Sequence, residues 1–224
     1  MNHINKPKVF IILGPQGSGK TTQAVYLSNA LGWQYFSMGY YTRKIQSQKS
    51  QIGKLSHKYY LKGKLFPTYL IESIIRLALK DYDLSKGIVF EGFPRTIRQN
   101  ILFEKILKQN NIDQPYVIYL DIPKEMVYKR LASRKICAIC AKPVSFEENM
   151  NFKKTCSKCG GKLVIRLDDN PEIIRERVAL FYREIKHVIN HYRSIKRLIK
   201  IDGTPNIKKV SSLMFDQLTK LKLI

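Results

Sequence analysis

The chain has 224 residues, 44% apolar and 25% charged, and its 40 Lys and Arg against 17 Asp and Glu give a formal net charge of +23. That length and composition fit one globular domain with insertions and a sizeable buried core. No apolar run approaches the ~18 residues of a membrane span and no secretory segment precedes the first apolar run, so a cytoplasmic protein with no membrane partner is expected.

The first element is the apolar run Val9–Leu13, a buried strand. It feeds Gly14-Pro15-Gln16-Gly17-Ser18-Gly19-Lys20-Thr21, which fits the pattern G-x-x-x-x-G-K-[ST], and a helix is predicted over about 21–31. Glycines at this turn let backbone N–H groups curl around phosphate oxygens, and the helix N-terminus adds the positive end of a dipole. Gly17, Ser18, Gly19, Lys20, Thr21 and Thr22 are therefore candidate ATP-binding residues. Lys20 is the mobile charge for the β/γ-phosphates, and the Thr21 or Thr22 hydroxyl reaches Mg²⁺. A strand at Trp33–Ser37 follows, then short helices within 39–63, a helix at 67–80, a strand at Gly87–Glu91, a helix at 97–109, a strand at Tyr116–Asp121 and a helix at 123–133. Residues 134–168 break the rhythm. The alternation resumes with a helix at 171–196, opened by Asp169-Asn170 as cap and Pro171 in its first turn, a strand at Leu198–Asp202 and a helix at 206–221. Strands alternating with helices predict an α/β fold with a five-stranded parallel sheet covered on both faces. A ligand then lies at the carboxyl ends of the strands, where Gly14, Ser37, Glu91 and Asp121 fall.

The four cysteines, Cys137, Cys140, Cys156 and Cys159, read C-x2-C-x15-C-x2-C. Two such knuckles aim four sulfurs at one point and predict a structural zinc site. Four thiolates fill the coordination shell and leave no open position for catalysis. Disulfides are the competing reading and fit a cytosolic chain poorly; an iron–sulfur cluster is a further alternative. His187 and His191 are four apart on a predicted helix but have no third ligand nearby, so an exposed helix face is the better reading.

Glu91-Gly92-Phe93-Pro94-Arg95-Thr96, together with residues 14–22, resembles the adenylate kinase family of nucleoside monophosphate kinases. Arg130 and Arg134, the segment Arg166-Leu167-Asp168-Asp169, Arg177 and Asp202-Gly203-Thr204 agree in order and spacing, so the resemblance covers nearly the whole chain. The cysteine segment resembles the lid of the bacterial zinc-containing branch. The resemblance implies a P-loop kinase fold with a core of residues 1–36, 67–133 and 169–224, a helical flap for the acceptor monophosphate at 37–66 and a zinc-pinned lid at 134–168. It implies reversible phosphoryl transfer from Mg-ATP to AMP in a monomer. Such transfer needs alignment and charge neutralisation more than covalent help, and arginine's planar fork suits phosphate. By resemblance, Lys20 and Arg134 lie on the donor side with Arg130, Val144 and Pro205 near the donor base. Arg43 and Arg95 hold the acceptor phosphate, Arg166 and Arg177 bridge the transferring group, and Asp168 and Asp169 orient the arginines. The acceptor pocket takes Met38, Lys64, Leu65, Phe66, Gly92, Phe93, Pro94 and Gln99, whose carboxamide suits an adenine edge. Glu91 orders Mg²⁺-bound water.

The chain departs from the family pattern at several places. Met38 stands where a threonine contacts the acceptor base, Tyr40 where an aspartate joins the charge network, Glu91 where an aspartate is usual, Thr21 for a glycine, and Val144 where an aromatic ring often lies. These departures keep open a kinase of the same fold acting on CMP, UMP or GMP. The positive charge keeps open a nucleotide- or nucleic-acid-binding protein of weak activity. The retained Lys20, Arg95, Arg134, Arg166 and Arg177 argue against the latter. Most of the charge reads as compositional drift, because the chain is also rich in Ile, Asn and Tyr and its lysines are scattered over solvent faces.

Overall fold

Val9–Leu13 forms β1, buried at all five positions, as befits the middle strand of a sheet covered on both sides. The computed structural model describes residues 9–46, 50–61, 64–83, 86–132, 135–140, 144, 155–165 and 171–224. After β1 come α1 (Lys20–Leu31), β2 (Gln34–Ser37), α2 (Met38–Gln46), α3 (Gln51–Leu61), α4 (Thr68–Leu79) and β3 (Ile88–Glu91). Next are α5 (Ile97–Gln109), β4 (Tyr116–Asp121), α6 (Lys124–Ala132) and the short strands β5 (Lys135–Cys137) and β6 (Leu163–Ile165). The chain ends with α7 (Pro171–Ser194), β7 (Leu198–Asp202) and α8 (Ile207–Lys220).

The sheet order is β2-β3-β1-β4-β7, parallel throughout. The five predicted strands are all present, each within a residue of its expected limits. Alternation along β1 divides the core. Val9, Ile11 and Leu13 pack with Leu70, Ile74 and Ile75 of α4, Phe103 and Ile106 of α5 and Val188 and Tyr192 of α7. Phe10 and Ile12 pack on the other face with Ala24 and Leu27 of α1 and Val210, Met214 and Leu218 of α8. Each large side chain buried in this way stabilises the fold by roughly 1.5–3 kcal/mol before entropy is counted. An aromatic stack roots α2 in the first layer: Phe36 lies 4.9 Å from Tyr41 at 12° and 4.9 Å from Phe90, and Phe103 meets Phe90 and Phe93 edge-on.

One polar strand of contacts crosses this layer. The Tyr192 hydroxyl donates to Asn100 Oδ1 at 2.7 Å, and Asn100 Nδ2 donates to Glu104 Oε1 at 3.0 Å. His191 Nε2 lies 2.9 Å from the same carboxylate oxygen. The expectation of an exposed face is therefore corrected for His191. It is partly buried between α5 and α7, while His187 is exposed. The spacing gives a face of α7, but the partner helix that covers it comes from tertiary packing.

Candidate active site

The phosphate loop is set by its glycines. Gly17 and Gly19 have φ of 79° and 87°, a conformation that costs other residues dearly, and Gly19 turns the chain directly into α1. Lys20 opens that helix, and its Nζ donates to the Pro15 carbonyl at 3.1 Å, so the ammonium is held at the loop. Thr21 and Thr22 occupy the same first turn, half-buried. Ser18 is buried, and its Oγ has no hydrogen-bond partner among the described residues. A buried hydroxyl without a partner at the N-terminus of a helix is a fitting donor for a phosphate oxygen.

Arg130 braces this loop from behind. Its Nη1 donates to the carbonyls of Gly17 at 3.2 Å and Gly203 at 3.1 Å, and its Nη2 to that of Thr204 at 3.0 Å. One guanidinium thus ties α6 to the phosphate loop and to the β7–α8 connection that carries Pro205. A Cβ added at Gly17 would stand 3.2 Å from the Arg130 Cβ, so the two chains are in close contact. Within the sheet, Asp121 at the end of β4 pairs with Lys200 of β7 at 2.8 Å.

The other half of the site begins where β3 ends. The Phe93–Pro94 peptide bond is cis, and Thr96 caps α5 by accepting the Gln99 N–H at 3.2 Å. Arg95 Nε donates to the Gly92 carbonyl at 3.0 Å. From the place a Cβ would take on Gly92, Arg95 Nη2 is 3.8 Å away and Lys20 Cε is 4.0 Å away. The Arg95 guanidinium and the Lys20 side chain therefore both approach Gly92. Gln99 is buried, and its Oε1 accepts the Arg95 N–H at 2.9 Å while its Nε2 lies 3.5 Å from the Phe66 carbonyl. Leu65 and Phe66 are half-buried and Lys64 is exposed. Arg95 and Arg177 line one cleft with Gln16, Leu65, Phe181 and Glu184.

Glu91 is 6% exposed and stands in register with Ser37 on β2 and Ile12 on β1, beside the start of the phosphate loop. Ser37 Oγ donates to Glu91 Oε2 at 2.9 Å and accepts the Tyr40 N–H at 3.3 Å. Burial first, then the Glu91 charge, pushes the Tyr35 hydroxyl above its ordinary value. Arg43 folds back along α2, with Nη1 3.2 Å from where a Gly39 Cβ would be. Met38 is buried, within the core cluster that also holds Ile45. Hard oxygen donors at Glu91 and Thr21 or Thr22 suit Mg²⁺, which favours carboxylate, hydroxyl and phosphate oxygens.

The cysteines come together on the β5–β6 hairpin. Their four Sγ atoms lie within 4.8 Å of one another and can hold a metal ion. Sulfur separations of 3.4 Å for Cys137–Cys159 and 3.7 Å for Cys140–Cys156 are far beyond a disulfide bond of about 2.05 Å, so the disulfide alternative falls. Backbone N–H groups point at the sulfurs: those of Ile139 and Cys140 at Cys137, and that of Lys158 at Cys156. The Cys140 N–H is the main cause that lowers Cys137 to about 6, and the Lys158 N–H lowers Cys156. At Cys159 the Gly161 N–H pulls the other way, but the Cys137 and Cys140 sulfurs outweigh it and raise the thiol to about 11. Gly161 is required by close approach, because a Cβ there would be 2.9 Å from both Cys137 Sγ and Ile139 Cδ1. Val144 is buried, with its N–H bonded to the Lys135 carbonyl at 3.0 Å.

Arg134, Arg166, Asp168 and Asp169 lie outside the described residues. Two residues that line the cleft escaped the sequence reading. Glu184 and Phe181 follow Arg177 at helical spacing on α7, a signal that was there to find. Ser37 was placed at the ligand end of its strand by the sequence, but its bond to Glu91 depends on the register between β2 and β3.

A parallel sheet whose first strand runs into a phosphate loop, with lysine and arginine gathered over the end of the neighbouring strand, defines a P-loop nucleotide-binding α/β protein. A family model described as adenylate kinase matches residues 12–197. The adenylate kinase of Archaeoglobus fulgidus is 34% identical over 218 residues, 95% of this chain and 98% of its own length. That of Thermosipho melanesiensis is 32% identical over 203 residues, 89% and 94% of the two chains. That of Phytoplasma australiense is 34% identical over 205 residues, 91% and 94%. The chain belongs to the adenylate kinase family.

Proposed function

We propose that this protein catalyses the reversible transfer of the γ-phosphoryl group of Mg-ATP to AMP, giving two ADP. The observation that carries the reading is the approach of Lys20 from the phosphate loop and of Arg95 to one point at Gly92, with Arg95 also lining the cleft that Arg177 lines. Donor and acceptor phosphates repel each other, and cations that converge from separate elements offset that repulsion and fix the line of attack. Lys20 and the loop N–H groups hold the donor phosphates, Arg43 and Arg95 the acceptor phosphate, and Arg177 meets the moving group, joined by Arg134 and Arg166. Asp168 and Asp169 orient the arginines. Arg130 keeps the loop carbonyls turned away from the phosphates and, with Val144 and Pro205, borders the donor base. Gln99, its Oε1 already fixed by the Arg95 N–H, offers its amide to an adenine edge, in a pocket with Met38, Lys64, Leu65, Phe66, Gly92, Phe93 and Pro94. The Thr21 or Thr22 hydroxyl would hold Mg²⁺ and Glu91 would order its bound water; the ion neutralises phosphate charge when bound.

The cysteine cluster takes zinc, because four thiolates with N–H donors at their sulfurs suit a closed tetrahedral site. Residues 37–66 and 134–168 act as two flaps over the core and exclude water as they close. By family resemblance the working unit is a cytoplasmic monomer. The test is the initial rate of Mg-ATP-dependent diphosphate formation with AMP, CMP, UMP, GMP and dTMP, alongside Lys20→Met. AMP is expected to be preferred, and Lys20→Met is expected to lose about 10³-fold in turnover with its circular dichroism unchanged. Preference for another base overturns the acceptor assignment, and a fully active Lys20→Met overturns the mechanism.

A further inference from the structure

We infer that Ser37 is a positioning residue that couples the first helix of the acceptor flap to the Glu91 carboxylate. The inference rests on the reading of the site given above. A serine hydroxyl has one proton to give and lone pairs to accept with. Here both are committed. The Tyr40 N–H points at Ser37 Oγ at 3.3 Å, and the Ser37 hydroxyl passes its proton's bond on to Glu91 Oε2 at 2.9 Å. Tyr40 is the third residue of α2, so Ser37 is the N-cap of that helix, satisfying one of the N–H groups that the first turn leaves without a partner. The same oxygen that caps the helix therefore steers a buried carboxylate.

Direction matters in such a chain. An N–H donating to Oγ makes the hydroxyl a better donor to the carboxylate, so the two bonds strengthen each other. Glutamate needs that steering more than the shorter aspartate of the family pattern would. It has one more torsion, and at 6% exposure it has little water to satisfy it. Arg43 lies one turn beyond Tyr40, and its Nη1 folds back to within 3.2 Å of the Gly39 Cβ position, where Ser37 Oγ is 3.8 Å away. A phosphate that draws on Arg43 moves α2, and the cap carries that movement to Glu91. Occupancy of the acceptor site and the setting of the carboxylate beside the phosphate loop then become one equilibrium.

The test is a double-mutant cycle of Ser37→Ala and Glu91→Gln, read as calorimetric affinity for AMP with neither metal nor ATP present. Transfer rates against Mg²⁺ concentration are recorded for the parent, Ser37→Ala and Ser37→Thr. Ser37→Ala is expected to weaken AMP binding about tenfold, the scale of a hydrogen bond to a charged group, and to raise the Mg²⁺ concentration for half-maximal rate. Ser37→Thr, which keeps the hydroxyl, restores both to within about twofold. In the Glu91→Gln background most of the Ser37→Ala effect on AMP is lost, because the charge it steered is gone. Should Ser37→Ala not fold, Ser37→Cys, which keeps the volume but bonds weakly, is read in its place. A cap and nothing more would speed hydrogen exchange at the Tyr40 amide and lower the melting temperature while the AMP effects stay additive. That additive result overturns the coupling and leaves the proposed function standing. A parent that binds no AMP and makes no ADP overturns both.

Discussion

The five-stranded core and the cysteine hairpin hold themselves together in different ways. In the core, β1 is buried along its whole length and the helices on each side fill the faces with Leu, Ile, Val and Phe. The hairpin has two strands of three residues each; Ile136, Leu163 and Val164 are only half-buried, and Ile139 and Ile165 are 75% and 66% exposed. Beside Val144, what it buries is sulfur: Cys137 and Cys156 are nearly inaccessible, with backbone N–H groups turned toward them. A two-stranded hairpin has too little burial to stand alone in water, and a metal held by the four sulfurs would take the place of a core. With a metal in place, the hairpin would draw its stability from a source separate from that of the sheet that carries the phosphate loop.

Damage to one region is therefore expected to spare the other. The largest effect falls on the core. Phe103 is fully buried and meets both Phe90 and Phe93 edge-on, at 4.7 and 5.2 Å. Phe103→Ala is expected to cost about 3–5 kcal/mol and to lower the melting temperature by about 10 °C. The folded fraction should still hold its metal at the parent's stoichiometry. Loss of metal in parallel with the melting shift would show that the two regions are one cooperative unit. In the hairpin, Cys156→Ser removes one ligand and is expected to release the metal and to expose 135–165 to protease. Turnover should fall several-fold while the core's melting temperature moves by less than about 2 °C. A core that melts much earlier would contradict the division.

In both regions the sequence disclosed what is local and not what is long-range. Both motifs were legible because each is local: glycine and lysine spacing for the phosphate loop, and paired cysteines for the metal cluster. The β–α alternation was legible for the same reason, since hydrophobic period and caps act within a few residues. The contacts that finish the site are not local. Ser37 and Glu91 are neighbours through strand register, Arg130 reaches the loop and the β7 connection across more than seventy positions of chain, and His191 acquires its carboxylate from α5. The family resemblance named Arg130 but not the three carbonyls that it grips, and Gln99 but not the N–H that fixes its orientation. Pairing across the sheet decides these, and pairing has no short-range signature.

Alkali offers the mildest way to question the core alone. The chain has thirteen tyrosines, and none falls between 134 and 168, so tyrosinate absorbance reports nothing from the hairpin. Burial is the first cause that raises Tyr35, Tyr82, Tyr119, Tyr182 and Tyr192 above the ordinary value of about 10, with Tyr182 reaching about 12 under the added influence of Asp121 and Glu125. A group that binds its proton more tightly when folded stabilises the fold below its unfolded pKa. That contribution is lost as pH rises through about 10 toward the folded value. These five hydroxyls are thus expected to stay protonated for as long as the sheet stays closed. Absorbance should reach the full thirteen tyrosinates only together with the loss of the helical signal. Thirteen tyrosinates in a protein that keeps its helical signal would mean that the aromatic layer beneath α2 admits water and hydroxide freely. The core would then owe far less to close packing than the contrast with the hairpin requires.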